Sequence, residues 1–239
     1  MTIEVSFTSE MISEVPSSVA FSHASRSRLT TKDLGRFTGE TLFDRIGRAV
    51  CAAGCLPRKE LYEAWEVARR ARRLFRGGRV VDLGGGHGLV AYVMLILDDT
   101  SPAAIVVDKI APPCGAAIAQ SLDAAWPRLA GRISRATVDL ETVQVNADDV
   151  VVASHACGRL TDVALERAVS GRARVAVLPC CHDLEACDTG DLEGWLDPAV
   201  AIDAVRALRL RDQGYRVWTQ SIPGEITPKH RLLLGAPTG

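Results

Sequence analysis

The run Asp82-Leu83-Gly84-Gly85-Gly86-His87-Gly88 holds the residue types that cradle a nucleotide-like ligand. It follows a short apolar stretch, Arg79-Val80-Val81, and opens into an apolar run from Leu89 to Leu97. A strand, a glycine-rich turn and a helix start together aim backbone N–H groups at a ligand. The glycines permit positive φ and let ligand atoms approach the main chain. The spacing argues against the dinucleotide fingerprint G-x-G-x-x-G. Counted from Gly84 and Gly86, the third glycine falls on Leu89; counted from Gly86 and Gly88, it falls on Ala91. Asp108 closes the next predicted strand, 20 residues after Gly88, where a carboxylate can accept both hydroxyls of a ribose.

Two later segments carry acid–base and soft-ligand chemistry. One is Ser154-His155-Ala156-Cys157-Gly158-Arg159-Leu160-Thr161-Asp162, the other Pro179-Cys180-Cys181-His182-Asp183. Each follows a predicted strand, and ligands bind at the carboxyl edge of open α/β sheets. The loop over 223–230 is expected at the same edge, bringing Glu225, Thr227, Lys229 and His230. Three roles are open. His155 or His182 can act as general base, since imidazole titrates near neutral pH. Cys157, Cys180, Cys181 and the histidines are ligand types that zinc prefers. Against metal, adjacent cysteines do not easily share one tetrahedral ion and the spacing matches no zinc finger, so no metal is assigned. The third role is structural, with small thiols packed behind a pocket.

The elements that must position these groups are legible in the periodicity. Strands are predicted at 79–83, 103–108, 133–138, 149–154, 173–179, 215–222 and 231–235. Helices are predicted near 88–98, 113–129, 160–169 and 198–212. This alternation gives a mostly parallel sheet covered on both faces. The last two strands have only about eight residues between them, so they pair antiparallel. Ahead of the glycine loop, 58–76 reads as an amphipathic helix with Leu61, Ala64, Trp65, Ala68, Ala71 and Phe75 on one face. From Arg58 to Arg79 there are eight basic and three acidic residues, a local +5 that suits either a phosphate-binding face or a solvated one. Residues 41–56 form a short helix pattern. Residues 1–40 are rich in Ser and Thr and read as a mobile arm or a lid. The expected division is therefore an N-terminal extension over 1–56 and a catalytic domain over 57–239.

Composition sets the remaining limits. With 239 residues the chain can bury one large core. A net charge of −1 gives no global field for nucleic acid or membrane. No apolar run reaches the ~18 residues of a membrane span, and the acidic N-terminus does not read as a signal peptide. Seven cysteines, an odd number, read as reduced thiols in a cytoplasmic protein.

The spacing Asp82-x-Gly84-x-Gly86-x-Gly88 resembles motif I of class I S-adenosylmethionine methyltransferases. The resemblance implies a Rossmann-like fold with a seven-stranded sheet ending in an antiparallel hairpin. It also implies roles for single residues. Asp82 orients the loop and faces the amino-acid end of S-adenosylmethionine, whose ammonium and sulfonium suit a buried carboxylate. Gly84, Gly86 and Gly88 hold the methionine end, and Asp108 holds the ribose. Asp139 meets the adenine amino group and Leu140 packs on the ring. Ser154, His155 and His182 face the acceptor, and Lys59 and Ser154 count among the cofactor-binding residues. His87 is expected to point out of the turn, without chemistry.

The paired segments, HACG…TD and PCCH, resemble a narrower methyltransferase-domain family that includes a eukaryotic tRNA ribose 2′-O-methyltransferase. Pro57-Arg58-Lys59-Glu60-Leu61-Tyr62-Glu63 resembles the helix start that precedes motif I there. The resemblance covers roughly 57–236. Cys51 and Cys55 have no histidine partners nearby, so the zinc finger of that tRNA enzyme is missing and its substrate does not carry over. The expected activity is methyl transfer to an O, N or S nucleophile of a small molecule, with RNA as the alternative acceptor. The rival of another class is a non-catalytic S-adenosylmethionine-binding or partner-binding module.

Overall fold

The computed structural model describes residues 21–154 and 156–239. Residues 1–20 and His155 lie outside the described residues, so neither the first half of the expected arm nor the His155 assignment is addressed by the geometry. The strands are β1 (Val80–Leu83), β2 (Ala104–Asp108), β3 (Ile133–Thr137), β4 (Val150–Ala153), β5 (Arg174–Val177), β6 (Tyr215–Ser221) and β7 (Arg231–Pro237). The helices are α1 (Leu42–Ala53), α2 (Arg58–Leu74), α3 (Leu89–Leu97), α4 (Cys114–Ala125), α5 (Arg159–Gly171) and α6 (Pro198–Asp212). One seven-stranded sheet runs in the order β3-β2-β1-β4-β5-β7-β6. The first five strands are parallel, and β7 runs antiparallel between β5 and β6, as the short final connection requires. β1 sits centrally, with β2 and β4 on its two sides.

Strand alternation splits the core in two. Val80, Val106, Val150 and Val152 face the layer that contains α1 to α4. Val81, Leu83, Val107, Val151 and Ala153 face the layer built on α5 and α6. α3 is buried from Leu89 to Ile96 because α2 covers the side that the sheet does not, which explains an apolar run without a polar face. The sheet interior thus fixes the carboxyl ends of β1, β2, β4 and β5 beside one another.

Three expectations change. Residues 21–40 are not wholly a free arm. Leu29 N–H donates to the Leu56 carbonyl (2.9 Å), Arg58 N–H to Ser27 (2.9 Å) and Lys59 N–H to Ser25 (3.0 Å). Leu29 and Phe37 are buried, and the Arg36 and Arg58 guanidiniums lie 4.1 and 3.6 Å from the Phe21 ring centre. These anchors are isolated in sequence, so no periodic pattern announces them. Second, not all thiols are free: Cys55 and Cys114 form a disulfide with Cα atoms 5.7 Å apart. Packing of α1 against α4 brings together two cysteines 59 positions apart.

Third, the basic run from Arg58 to Arg79 is partly paired. Arg72 is buried, pairs with Asp98 (3.3 Å) and donates to Ser101 and the Met94 carbonyl. Arg69 and Arg70 both grip Glu66, Lys59 pairs with Glu63, and Arg79 with Asp149. No helix among the described residues is long and apolar enough to cross a membrane.

Candidate functional site

The glycine loop leaves β1 and enters α3 with Gly84, Gly86 and Gly88 at φ of 66°, 49° and 80°. That left-handed alternation is costly for any residue with a Cβ. A side chain at Gly85 is also excluded, since its Cβ would stand 2.6 Å from the Asp82 carboxyl carbon. Asp82 lies fully buried beneath the loop, and one of its oxygens accepts from Ala91 N–H at 3.3 Å. The other, Oδ1, is buried without a hydrogen-bond partner. Burial pushes the Asp82 carboxyl up to about 7, against the opposing pull of His87 and the Ala91 amide. A buried carboxylate in want of a partner is the chemistry that an ammonium group satisfies.

Asp108 ends β2 beside the loop. Its Oδ2 accepts from Gly86 N–H (3.0 Å) and its Oδ1 from Ile110 N–H (3.4 Å). Each oxygen keeps a lone pair for a vicinal diol. Ala156 borders the loop from the β4 side, 3.4 Å from where a Cβ on Gly84 would sit. Ser154 precedes it and is buried. Asp139 is exposed and pairs with Lys109 at 2.5 Å. Leu140 is 2% exposed and belongs to the α5-side core, so it packs inward. Ile110 and Val138 are the exposed apolar residues on the two loops here, at 76% and 44% exposure. This donor set fits an amino acid joined to a nucleoside, as in S-adenosylmethionine.

His87 departs from expectation. It is turned inward and largely buried, because Glu60 on α2 draws its Nε2 to 2.7 Å. Its Nδ1 accepts from Leu89 N–H (3.1 Å), which satisfies an otherwise unpaired donor at the start of α3. The acceptor role of Nδ1 puts the ring proton on Nε2, toward Glu60. Sequence reasoning missed Arg135. From β3 its guanidinium donates to the carbonyls of Gly86 (2.7 Å) and His87, holding the loop from outside. The signal was an arginine inside a short strand pattern, with no acidic partner in view.

A cavity of about 620 Å³ lies at the start of α2, with Glu60, the residue that holds His87, in its wall. Lys59, Glu60 and Glu63 from α2, Ala24 and Arg26 from the N-terminal segment, and Cys180 and Cys181 line it. Thr227 and Lys229 close the far side, so the predicted 223–230 loop does reach this edge. Lys59 bonds Glu63 at 3.2 Å, which puts it on the cavity wall. Burial pushes the Glu63 carboxyl up and Lys59 pulls it back.

The two chemistry-bearing segments meet as predicted. Gly158 N–H donates to the Cys181 carbonyl at 3.1 Å. The sulfurs of Cys157, Cys180 and Cys181 all lie within 4.8 Å of one another, with Cys157 and Cys180 at 3.0 Å. Burial and the neighbouring Cys157 push the Cys180 thiol up. The TD pair is structural: the Thr161 hydroxyl donates to the Ala156 carbonyl (2.6 Å), and Asp162 receives a forked pair from Arg206 (2.7 and 2.8 Å).

The structure does not bring His182 to the cavity. Its side chain is 2% exposed and its Nε2 lies 2.8 Å from Asp203, which Arg231 also grips at 2.7 Å. Burial works to raise the Asp203 carboxyl, but the bonds from His182 and Arg231 outweigh it and hold the group below its usual range.

Comparison with known proteins agrees with the fold. A solved O-methyltransferase family protein from Burkholderia thailandensis aligns at a TM-score of 0.50 and 17% identity, over 89% of this chain and 64% of that one. The small RNA methyltransferase HEN1 aligns at 0.52 and 15% identity, over 73% of this chain and 25% of its own. The chain therefore spans less than two thirds of either protein, and at these identities the likeness establishes the Rossmann-like methyltransferase fold alone. No curated protein matches the sequence. The family model described as a methyltransferase domain matches residues 60–187, more than half of the chain and the span from α2 through the paired thiol segments, and the protein belongs to that family.

Proposed function

We propose that this protein transfers a methyl group from S-adenosylmethionine to an oxygen, nitrogen or sulfur nucleophile of a small-molecule acceptor. The observation that carries the reading is the buried, half-satisfied Asp82 carboxylate under a loop of alternating left-handed glycines. S-adenosylmethionine supplies a methyl group on a sulfonium, open to in-line attack. Asp82 receives the ammonium, Gly84, Gly86 and Gly88 lie along the methionine end, Asp108 takes the ribose hydroxyls and Asp139 the adenine amino group. Ser154 backs this pocket from the β4 side, and Leu140, next to Asp139, anchors the loop after β3 in the core. Lys59 stands on the wall between cofactor and acceptor.

The cavity of about 620 Å³ holds the acceptor, and its size is ordinary for small-molecule sites. Methyl transfer is largely a problem of alignment. An acceptor hydroxyl must also lose a proton, and His155 is proposed as the base that takes it. His182 is proposed as a positioning residue that anchors the Cys180-Cys181 turn through Asp203. A small acceptor is favoured over RNA by the ion pairs that hold Arg69, Arg70, Arg72 and Arg79, which thin the positive face offered to phosphates.

Calorimetry of the purified chain with S-adenosylhomocysteine, with NAD⁺ as control, tests the cofactor. Micromolar S-adenosylhomocysteine binding and no NAD⁺ binding is the expected result; the reverse pattern, or no binding, defeats the proposal. A silent binding module would bind equally well but transfer no methyl group to any acceptor in a screen.

A further inference from the structure

We propose that Cys157, Cys180 and Cys181 bind one zinc ion at the mouth of the cavity, with the fourth coordination position open to it. Three thiols from two loops converge at one point of the sheet edge, with all sulfurs within 4.8 Å. Tetrahedral zinc with sulfur at ~2.3 Å sets its thiolates about 3.8 Å apart. The observed range, from 3.0 Å upward to at most 4.8 Å, brackets that value. Sub-ångström side-chain shifts would complete the site. Adjacent cysteines do not easily share one tetrahedral ion. Here the turn after β5 directs both Cys180 and Cys181 toward Cys157, so the backbone has already met the difficulty.

The surroundings hold the cluster in place. The Gly158–Cys181 main-chain bond pins one loop to the other. Arg206 bridges the Gly158 carbonyl (3.1 Å) and Asp162, and His182, next in sequence to Cys181, is locked to Asp203. Such outer bonds fix first-coordination ligands before the metal arrives. Cys157 and Cys181 are exposed, which gives an ion a route in. Cys180 and Cys181 also line the cavity, so a bound ion would face it. An all-thiolate set selects a soft cation over magnesium or calcium. Three protein ligands and one open position distinguish sites that act on a substrate from closed structural sites.

The inference rests on the thiol geometry and not on the methyl-transfer reading. Its test is metal content and optical spectroscopy of the full chain, prepared under a phosphine reductant without chelator. Elemental analysis should find close to one zinc per chain, falling at least tenfold in Cys181→Ser while the circular dichroism spectrum is kept. The metal-stripped wild-type chain titrated with Co²⁺ should develop thiolate-to-cobalt charge-transfer bands that saturate at one equivalent. A chain without zinc that takes up no cobalt overturns the proposal. So does mass spectrometry that finds a Cys157–Cys180 disulfide resistant to the reductant. Calorimetry with S-adenosylhomocysteine on the same sample separates the two readings, since cofactor binding without metal leaves the methyltransferase assignment standing, and the converse leaves the metal site.

Discussion

Replacing Asp82 with Asn should raise the stability of the ligand-free protein at alkaline pH while weakening its grip on S-adenosylhomocysteine. Burial lifts the Asp82 carboxyl from 3.8 to about 7. The displacement of roughly three units corresponds to about 4 kcal/mol of differential stability between its protonated and ionised forms. The sign follows from linkage: the folded state keeps a proton that the unfolded state has already lost. Stability is therefore greatest below the unfolded value of 3.8, declines as pH rises toward about 7, and stays reduced above it. Asp82→Asn removes that slope, so its advantage over wild type should be larger at pH 8 than at pH 5. Urea unfolding at both pH values measures it.

Ligand binding provides the second half of the test. If the ammonium of S-adenosylhomocysteine meets the unpartnered Oδ1, Asp82 ionises on binding. At pH 7 it then releases about half a proton, and near pH 6 about nine tenths. Calorimetry in buffers of different ionisation enthalpy counts those protons directly. In Asp82→Asn the release should vanish and affinity fall about 10- to 100-fold, the worth of one charged hydrogen bond. Proton uptake, or release unchanged in the variant, would refute the assignment of Asp82 to the ammonium.

Asp108→Ala should weaken S-adenosylhomocysteine about tenfold or more by calorimetry, because both the ribose contacts and the tie to Gly86 N–H are lost. Arg135→Gln should produce a similar loss without touching ligand, and Arg135→Lys should rescue poorly, since a single ammonium cannot reproduce a fork onto two carbonyls. His182→Gln should lower unfolding stability by about 1–3 kcal/mol and keep the pH profile of turnover; loss of that profile's acidic limb would instead make His182 the base. Reducing the Cys55–Cys114 bond, which closes a 59-residue separation, should cost up to about 4 kcal/mol in denaturant unfolding, checked against Cys114→Ser in the absence of reductant.

What the sequence disclosed was whatever repeats over a short range. β1 through β7 and α2 through α6 stand where hydrophobic period and turn residues put them, because each is read within a dozen neighbours. Asp82 and Asp108 were legible for the same reason, each closing a strand. What escaped depends on contacts between distant positions. The Cys55–Cys114 bond needs the packing of α1 on α4. Arg135 acquires its role only when β3 lies beside β2 and beneath the glycine loop. His87 is held by Glu60, 27 positions earlier on α2. The burial of Leu140 beside an exposed Asp139 also depends on α5 packing over the loop after β3, which no local pattern announces.

Glu60 belongs to two places at once. Its carboxylate holds His87 in the glycine loop, and its side chain is part of the wall of the cavity. A ligand that reshapes either side therefore acts on the same residue. Binding at one site would alter affinity at the other, and thermodynamic reciprocity makes the factor equal in both directions. The coupling between donor and acceptor binding thus runs through a single hydrogen-bonded pair. Glu60→Gln, by weakening that pair, should bring the two binding events closer to independence.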